Sequence, residues 1–259
     1  MKTISIAVLG IIFLFAVSTA SADGFYDEIQ AYAEAELEVQ AKPLVEAFGT
    51  GVCGGLYHTA KTHKPLGFDV GLRTMIVLIP SGKSDIFDDA DLSLFPIPVL
   101  QGSVGLPMDF EVMLRGFGVK FEEESISLFG IGLKKNFNHL IPVPGLPDVS
   151  AMIAYHTFKA SDMLSSSHIS FDIMVSKKFI FITPYAGLGF DNTKMSFEYV
   201  YVDPNFPSVD VPIAQDIKAS TTRFTLGLNL SPMPFVNIFA DYNVGKFSEI
   251  TAGLAIGIR

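Results

Sequence analysis

The chain contains no tryptophan and only one cysteine, Cys53, among its 259 residues. One cysteine cannot form a disulfide within the chain, and Cys53 is interpreted as a small packed residue. Charged residues make up only 17% of the chain, and the formal net charge is −9. Nucleic acid is not expected as a partner, because its phosphates require a basic protein surface.

The first 22 residues have the pattern of a secretory signal peptide. Lys2 precedes an apolar run from Ile4 to Val17, and Ala20 and Ala22 supply an A-x-A cleavage pattern. The run has about 14 apolar residues, whereas a membrane-spanning helix needs roughly 20. No Leu-x-x-Cys follows it, which argues against a lipid anchor. We therefore expect residues 1–22 to be removed after export.

Long apolar runs are absent after this leader, although 49% of the residues are hydrophobic. No run of roughly 18 residues is both apolar and free of helix breakers. The longest uncharged stretches, Leu92–Met108 and Phe224–Ala240, both contain prolines. A chain of this composition without spanning helices has either a large soluble core or a β-barrel, in which every backbone group can be satisfied inside lipid.

Alternation of residue types favours the barrel, most clearly over residues 223–259. Three strands are predicted there, with apolar residues at every second position of Phe224–Leu230, Val236–Tyr242 and Ile250–Ile258. Successive strand side chains point to opposite sides, so each strand has one apolar face and one face of small or polar residues. We expect the apolar face to contact lipid of a bacterial outer membrane.

Similar patterns predict an all-β fold, an antiparallel transmembrane β-barrel of about ten strands formed by residues 51–259. A weak first strand is predicted at Gly54–Thr62 and a clear one at Phe68–Ile79. The connector Ser81–Gly105 is then periplasmic, although periplasmic turns are usually short. Twelve strands result if that connector contains a hairpin. At Asp191–Thr193 the apolar residues change face, which indicates either a bulge or a true turn, and one long strand with a bulge is favoured.

A helix is predicted within residues 23–50, before the barrel. Ile29, Tyr32, Leu37 and Phe48 recur at helical spacing, and Pro43 is expected to break or kink the helix. Because the helix directly follows the leader, it is expected to begin in the periplasm. Two positions stay open, one below the barrel rim and one inside the lumen.

Charged residues of the strands collect on the inward face. Charge on the lipid side would cost about 2–4 kcal/mol for each Arg or Lys near the midplane. The near balance of acids and bases favours ion pairs across the lumen over a polar conduit lining. The predicted lumen-lining charges are Asp69, Arg73, Asp109, Glu111, Arg115, Lys134, Asp172, Arg223, Asp241 and Glu249, together with Arg259.

Histidines are the main candidates for a metal or catalytic site. His58 and His63 are five residues apart, which on a strand places them on opposite faces, so no shared metal is expected. His156, His168 and Asp172, with the serines of 165–167, suggest a hydrolase, but no short motif fixes their geometry. We expect no enzymatic activity, no metal and no cofactor.

The leader, the helical segment Phe25–Phe48 and two further segments resemble an uncharacterised family of bacterial outer-membrane β-barrel proteins. The two segments are LYHTAKTHKPLGFDVGLRTMIVLIP (Leu56–Pro80) and FITPYAGLGF (Phe181–Phe190). The resemblance implies a barrel and no known activity. A looser similarity to outer-membrane fatty-acid transporters suggests transport of hydrophobic compounds.

Three functional hypotheses follow from these predictions. The first is a narrow channel or transporter for small or hydrophobic compounds, and the alternative is a non-transporting structural or adhesive barrel. An outer-membrane hydrolase is the third. The expected partners are outer-membrane lipid and the barrel-assembly machinery, and the sequence identifies no substrate.

Overall fold

The structure is a computed structural model of the chain. It describes residues 34–84, 87–88, 92–121, 124–138, 145–160, 163–202 and 210–258. The predicted signal peptide (1–22), the first part of the predicted helix (23–33) and Arg259 lie outside these residues.

One helix and ten strands form the described fold. The helix α1 covers Glu34–Cys53, and the strands are β1 (Phe68–Leu78), β2 (Leu94–Leu106), β3 (Phe110–Phe121), β4 (Glu124–Asn136), β5 (Asp148–Ala160), β6 (Leu164–Ser176), β7 (Ile182–Val202), β8 (Asp210–Met233), β9 (Val236–Val244) and β10 (Ser248–Ile258). Each strand pairs with the next, and β1 pairs antiparallel with β10 to close the ring. The predicted ten-stranded antiparallel barrel with an N-terminal helix is confirmed.

The connections between strands lie alternately at two ends of the barrel. We call one the loop end, where β1, β3, β5, β7 and β9 finish and β2, β4, β6, β8 and β10 begin. The other is the turn end, with the described residues 107–109, 137–138, 145–147, 177–181 and 234–235, the start of β1 and the end of β10. The long connector before β2 thus lies at the loop end and not, as predicted, at the end where β10 finishes.

The predicted number of ten strands is right, because one predicted strand is absent and one strand that was not predicted is present. Residues 54–62 are not a strand, and β2 lies within the predicted connector. Pro96 and Pro98 concealed β2, since proline cannot donate to a ladder. Both prolines pair with β1, whereas the ladder between β2 and β3 covers only Leu100–Leu106. The prolines therefore occupy a stretch with one unpaired edge, where a missing N–H is tolerated.

The predicted bulge near Asp191 is wrong, because β7 pairs residue for residue with β8 from Ile182 to Val202. The apolar residues change face because the surroundings of the strand change. Between Phe190 and Tyr199 the outer side chains are polar, as at Asn192 and Lys194, while the inner Met195 and Phe197 join the apolar core around α1. One register shift does occur elsewhere, between β8 and β9 at Leu230/Met233.

The helix α1 lies inside the barrel, in the half nearer the loop end. Its Leu37, Val45 and Phe48 are buried in an apolar core with residues of the wall. Near its start, the carbonyl oxygen of Gln40 accepts a 2.8 Å hydrogen bond from the Ser84 hydroxyl of the β1–β2 connector. The helix therefore occupies the lumen and begins at the loop end. The start of the helix and the end of β10, both expected in the periplasm, thus lie at opposite ends of the barrel.

Pro43 lies within α1, so the predicted break at this residue is absent. Among the described residues, no helix is long and apolar enough to cross a membrane.

Candidate functional site

The candidate site is the barrel lumen, which the chain itself crosses. We call residues 54–67 the luminal segment, because they continue from the end of α1 to the start of β1 inside the barrel. Tyr57, His58 and Ala60 are buried there. The backbone N–H of Leu66 donates a 3.1 Å hydrogen bond to the carbonyl oxygen of Gly105, close to the turn end. Together, α1 and the luminal segment run through the barrel from the loop end to the turn end.

Side chains of β1, β2 and β3 donate hydrogen bonds to backbone carbonyl groups in the first part of the luminal segment, next to α1. Arg73 donates to the carbonyl oxygen of Gly55 at 2.7 Å. Gln101 donates to the carbonyl oxygen of Leu56 at 3.0 Å. Arg115 donates to the carbonyl oxygen of the neighbouring Gly54 at 2.8 Å. An irregular backbone buried in a lumen has no ladder partner, so these side chains supply the donors that it needs.

Side chains of β4, β5 and β6 form hydrogen bonds with the backbone of the luminal segment farther along, nearer the turn end. The carbonyl oxygen of Ala60 accepts hydrogen bonds from Asn136, at 3.2 Å, and from the Ser150 hydroxyl. The backbone N–H of Ala60 donates to the Ser176 hydroxyl at 2.9 Å. Lys134 lies 3.4 Å from the carbonyl oxygen of Lys61. Six strands thus bind the chain that passes between them.

An ionic cluster surrounds the two histidines of the luminal segment. Nδ1 of His63 lies 2.6 Å from the Glu111 carboxylate, which also pairs with Lys134 at 2.6 Å. Nε2 of His58 and Nε2 of His63 lie 3.6 and 3.5 Å from the same Asp69 carboxylate oxygen. The expectation that these histidines face opposite ways is wrong, because the segment is not a strand. Within the described chain, no group of three or more His, Cys, Asp or Glu residues could hold a metal ion.

A second buried cluster lies on the opposite wall, around Arg223 of β8. Its guanidinium pairs with Asp172 at 3.0 Å and with Asp191 at 3.2 Å. The Ser170 hydroxyl lies 2.6 Å from one of these carboxylates and 2.7 Å from the other. All four side chains are buried, so the arginine is the cation that offsets both acids in a region shielded from solvent.

The hydrolase hypothesis requires a histidine near both a serine and an acid. Nε2 of His168 lies 2.8 Å from the Ser166 hydroxyl, but its Nδ1 lies 2.9 Å from the hydroxyl of Thr193. Nε2 of His156 accepts a 2.9 Å hydrogen bond from Arg115. Among the described residues, no carboxylate is bonded to either histidine to orient it as a general base, so this geometry does not support a catalytic triad.

The single thiol is buried at the end of α1. Cys53 is enclosed by the wall, and burial raises the pKa of its thiol well above the ordinary value. A protonated, enclosed thiol is a poor nucleophile, which fits a packing role.

The predicted lumen-lining residues divide clearly by position. Asp109 lies exposed in the 3₁₀ turn Pro107–Asp109 at the turn end, outside the lumen. The other described residues of that set are buried on the inner side of the barrel: Asp69, Arg73, Glu111, Arg115, Lys134, Asp172, Arg223, Asp241 and Glu249.

Several polar residues that bind the luminal segment were not anticipated. Gln101 belongs to the strand concealed by its prolines, although Leu100 and Val104 alternate with Gln101 and Ser103 there. Asn136 and Ser150 lie near strand ends and carry no charge that would single them out.

A family model described as a family of unknown function (DUF6588) matches residues 1–88 and 84–258. The chain belongs to this family. No curated protein matches this DUF6588 member.

Several solved structures are similar to this DUF6588 barrel in fold. The translocator domain of the autotransporter NalP from Neisseria meningitidis shares 10% identity over 88% of this chain and 99% of its own, with a TM-score of 0.43. The outer membrane protease OmpT from Escherichia coli shares 7% identity over 77% and 100%, with a TM-score of 0.42. The N-terminal β-barrel domain of Pseudomonas aeruginosa OprF shares 9% over 75% and 98%, with a TM-score of 0.33. These similarities concern the fold alone.

Proposed function

We propose that this protein is an outer-membrane β-barrel whose lumen is closed by its own chain, and that it acts as a structural barrel and not as an open pore. The binding of the luminal segment by side chains of six strands carries the proposal. A gate that must move aside would have to break these buried hydrogen bonds together, and each unsatisfied group would remain inside the barrel.

The outer surface supports a location in lipid. Large apolar side chains, such as Ile153, Ile169 and Leu226, stand exposed around the barrel, while buried charges such as Arg73, Arg115 and Arg223 lie inside. A continuous exposed apolar surface of this extent is unfavourable in water. A shallow apolar depression also crosses β3–β6 on this surface, with a lining that includes Val112, Ile131, Leu133, Ile153, Tyr155 and Ile169.

The orientation follows from the connections. Bacterial barrels have short periplasmic turns and longer extracellular loops, so the loop end faces outside. On this basis α1 begins at the cell surface and the luminal segment ends in the periplasm. Partners of this barrel are membrane lipid and, during assembly, the barrel-assembly machinery.

A gated transporter for small or hydrophobic compounds is the second candidate. A seam favours it: residues 94–99 of β2 pair with β1 but not with β3, and residues 117–121 of β3 pair only with β4. Phe48 of α1 lies behind the seam, with its ring centroid 5.6 Å from that of Phe95. A movement of α1 would therefore expose an apolar chamber at an incomplete part of the wall.

A reversible lock on the luminal segment tests both candidates. The variant C53A/A60C/S176C places two cysteines where the Ala60 backbone and the Ser176 side chain touch. Ion conductance and uptake of hydrophobic dyes into vesicles are measured in oxidised and reduced protein, with C53A/A60C as the control. Absence of transport in all forms supports the structural barrel. Transport that stops on oxidation of the double-cysteine variant alone would contradict it and establish the gate.

A further inference from the structure

Three large aliphatic residues occupy the tips of the chain at the turn end. Leu66, Met108 and Ile180 are 88%, 77% and 90% exposed. Each also has a positive φ, of 68°, 61° and 50°. In the described ranges, Asp109 beside Met108 is the one other non-glycine residue with a positive φ. The unusual backbone and the most exposed apolar side chains thus coincide at one end of the barrel.

These positions are unfavourable if water surrounds them. A branched side chain at positive φ is an outlier, and glycine or asparagine is the usual choice. Ile180 is the first residue of a two-residue turn closed by hydrogen bonds of 2.7 and 2.8 Å between Phe179 and Ile182, and glycine is favoured at a first position with positive φ. Large aliphatic residues at strained, exposed tips indicate that an apolar medium surrounds these side chains.

Basic side chains accompany the tips. Lys64, Lys135, Lys177 and Lys178 lie at the turn end, exposed or half-buried, against only Asp109 and Asp148 among the described residues. Nζ of Lys135 lies 4.4 Å from the ring centroid of Phe110 and donates to the carbonyl oxygen of Met108. Apolar tips flanked by lysines fit the boundary between acyl chains and anionic headgroups.

The apolar surface of β6 is too short to span a bilayer without the tips. Its outward apolar residues cover Ile169–Val175, about 20 Å along the strand. At a tilt of 35–45° this gives ~15 Å along the membrane normal, whereas the apolar band of such barrels is ~25 Å tall. After β6, Lys177 and Lys178 are followed by the exposed Phe179, Ile180 and Phe181, which add apolar surface beyond the end of the strand.

We propose that the turn end is a lipid-binding surface that inserts Leu66, Met108 and Ile180 into the inner leaflet and places its lysines against anionic phospholipid phosphates. This inference rests on the proposed membrane location. It adds that the barrel sits deep toward the periplasm, with the extended β7–β8 hairpin projecting on the other side.

Tryptophan fluorescence tests the insertion, because the natural chain has no tryptophan. I180W and M108W report the tips, F171W reports the middle of the outer face, and V200W reports the loop end. Each full mature chain is folded into phosphatidylglycerol/phosphatidylcholine vesicles, with and without lipids brominated either near the headgroup or farther along the acyl chain. We expect I180W and M108W to be quenched by brominated lipid and shielded from aqueous acrylamide, and V200W to behave in the opposite way.

The variants distinguish a failure of the proposed membrane location from a failure of the proposed tip insertion. If F171W is not quenched by brominated lipid, the membrane location itself fails. If F171W is quenched while both tip variants emit as in water, the insertion alone is overturned. Tips that are exposed in vesicles but shielded in native outer membranes would indicate a protein partner and would also overturn it.

The lysines are tested by native mass spectrometry of phosphatidylglycerol retained on the detergent-purified barrel, in competition with phosphatidylcholine. K64Q/K178Q at the turn end is compared with K83Q/K120Q at the loop end, and all four lysines are exposed. We expect the preference for the anionic lipid to fall about fivefold for each turn-end lysine removed. Equal losses in both pairs, or no loss in either, would overturn the charge contribution.

Discussion

Nη1 of Arg115 donates a 2.8 Å hydrogen bond to the carbonyl oxygen of Gly54, inside the barrel. The same guanidinium donates to the carbonyl oxygen of Val52 and, through Nε, to His156. The last carbonyls of a helix have no partner within the helix, and a cation near them is favourable. One side chain of β3 thus satisfies the end of α1 and joins the chain inside the lumen to the wall.

Removal of Arg115 should loosen this junction. R115M leaves two buried carbonyl oxygens and a histidine nitrogen without their donor, and hydrogen bonds to charged groups contribute about 1.5–3 kcal/mol each. We expect the free energy of unfolding in detergent micelles, measured with urea, to fall by about 3 kcal/mol or more. K120M, at an exposed outer position near the end of β3, is the control and should change stability little. Wild-type stability of R115M would show that the junction does not hold the segment.

Gly54 should tolerate no side chain. A methyl group at this position would overlap the carboxylate of the buried Glu249. We expect G54A to lower the free energy of unfolding by about 1–3 kcal/mol, the usual effect of overpacking. G118A, where a methyl group would meet no atom within 4 Å, is the matched control. In G54A/E249A the destabilisation should be smaller than the sum of the single effects, because the carboxylate is gone. Additive effects would contradict this contact.

The stability of the barrel should depend strongly on Arg223, because it is the cation that pairs with the buried Asp172 and Asp191. R223M leaves Asp172 and Asp191 buried without a cation, which typically costs 3–5 kcal/mol. This deficit should shrink as the pH falls, because protonation neutralises the stranded carboxylates. The triple variant D172N/D191N/R223M removes all three charges and should recover much of the loss. Unfolding measured at several pH values tests this, and a deficit independent of pH would contradict it.

The direction of α1 can be tested on intact cells. Glu38 is exposed near the start of the helix, and Lys178 is exposed at the turn end. The native Cys53 is enclosed, and burial raises the pKa of its thiol, so wild-type protein should not react with a membrane-impermeant maleimide. We expect E38C to be labelled on intact cells and K178C only after the outer membrane is permeabilised. The reverse result would invert the orientation.

Much of the barrel wall could be predicted because local alternation reports which side of a strand faces protein. Strands such as β5 and β6 follow the alternation closely. This reading of the alternation failed where the surroundings of a strand change along its length. Beyond Phe190, β7 keeps its register, but its outer side chains become polar and its inner side chains pack against α1, so its pattern reverses without a bulge.

The sequence by itself determined a closed, alternating sheet with its charges turned inward, because the period of a strand and the cost of charge in an apolar medium act residue by residue. The path of residues 54–67 was decided only by the tertiary structure. That segment has no periodic pattern. Its backbone hydrogen bonds are made by side chains of strands that lie far from it in the sequence, such as Arg115, which donates to the carbonyl oxygen of Gly54. Such donors meet their acceptors only when ten strands close around them.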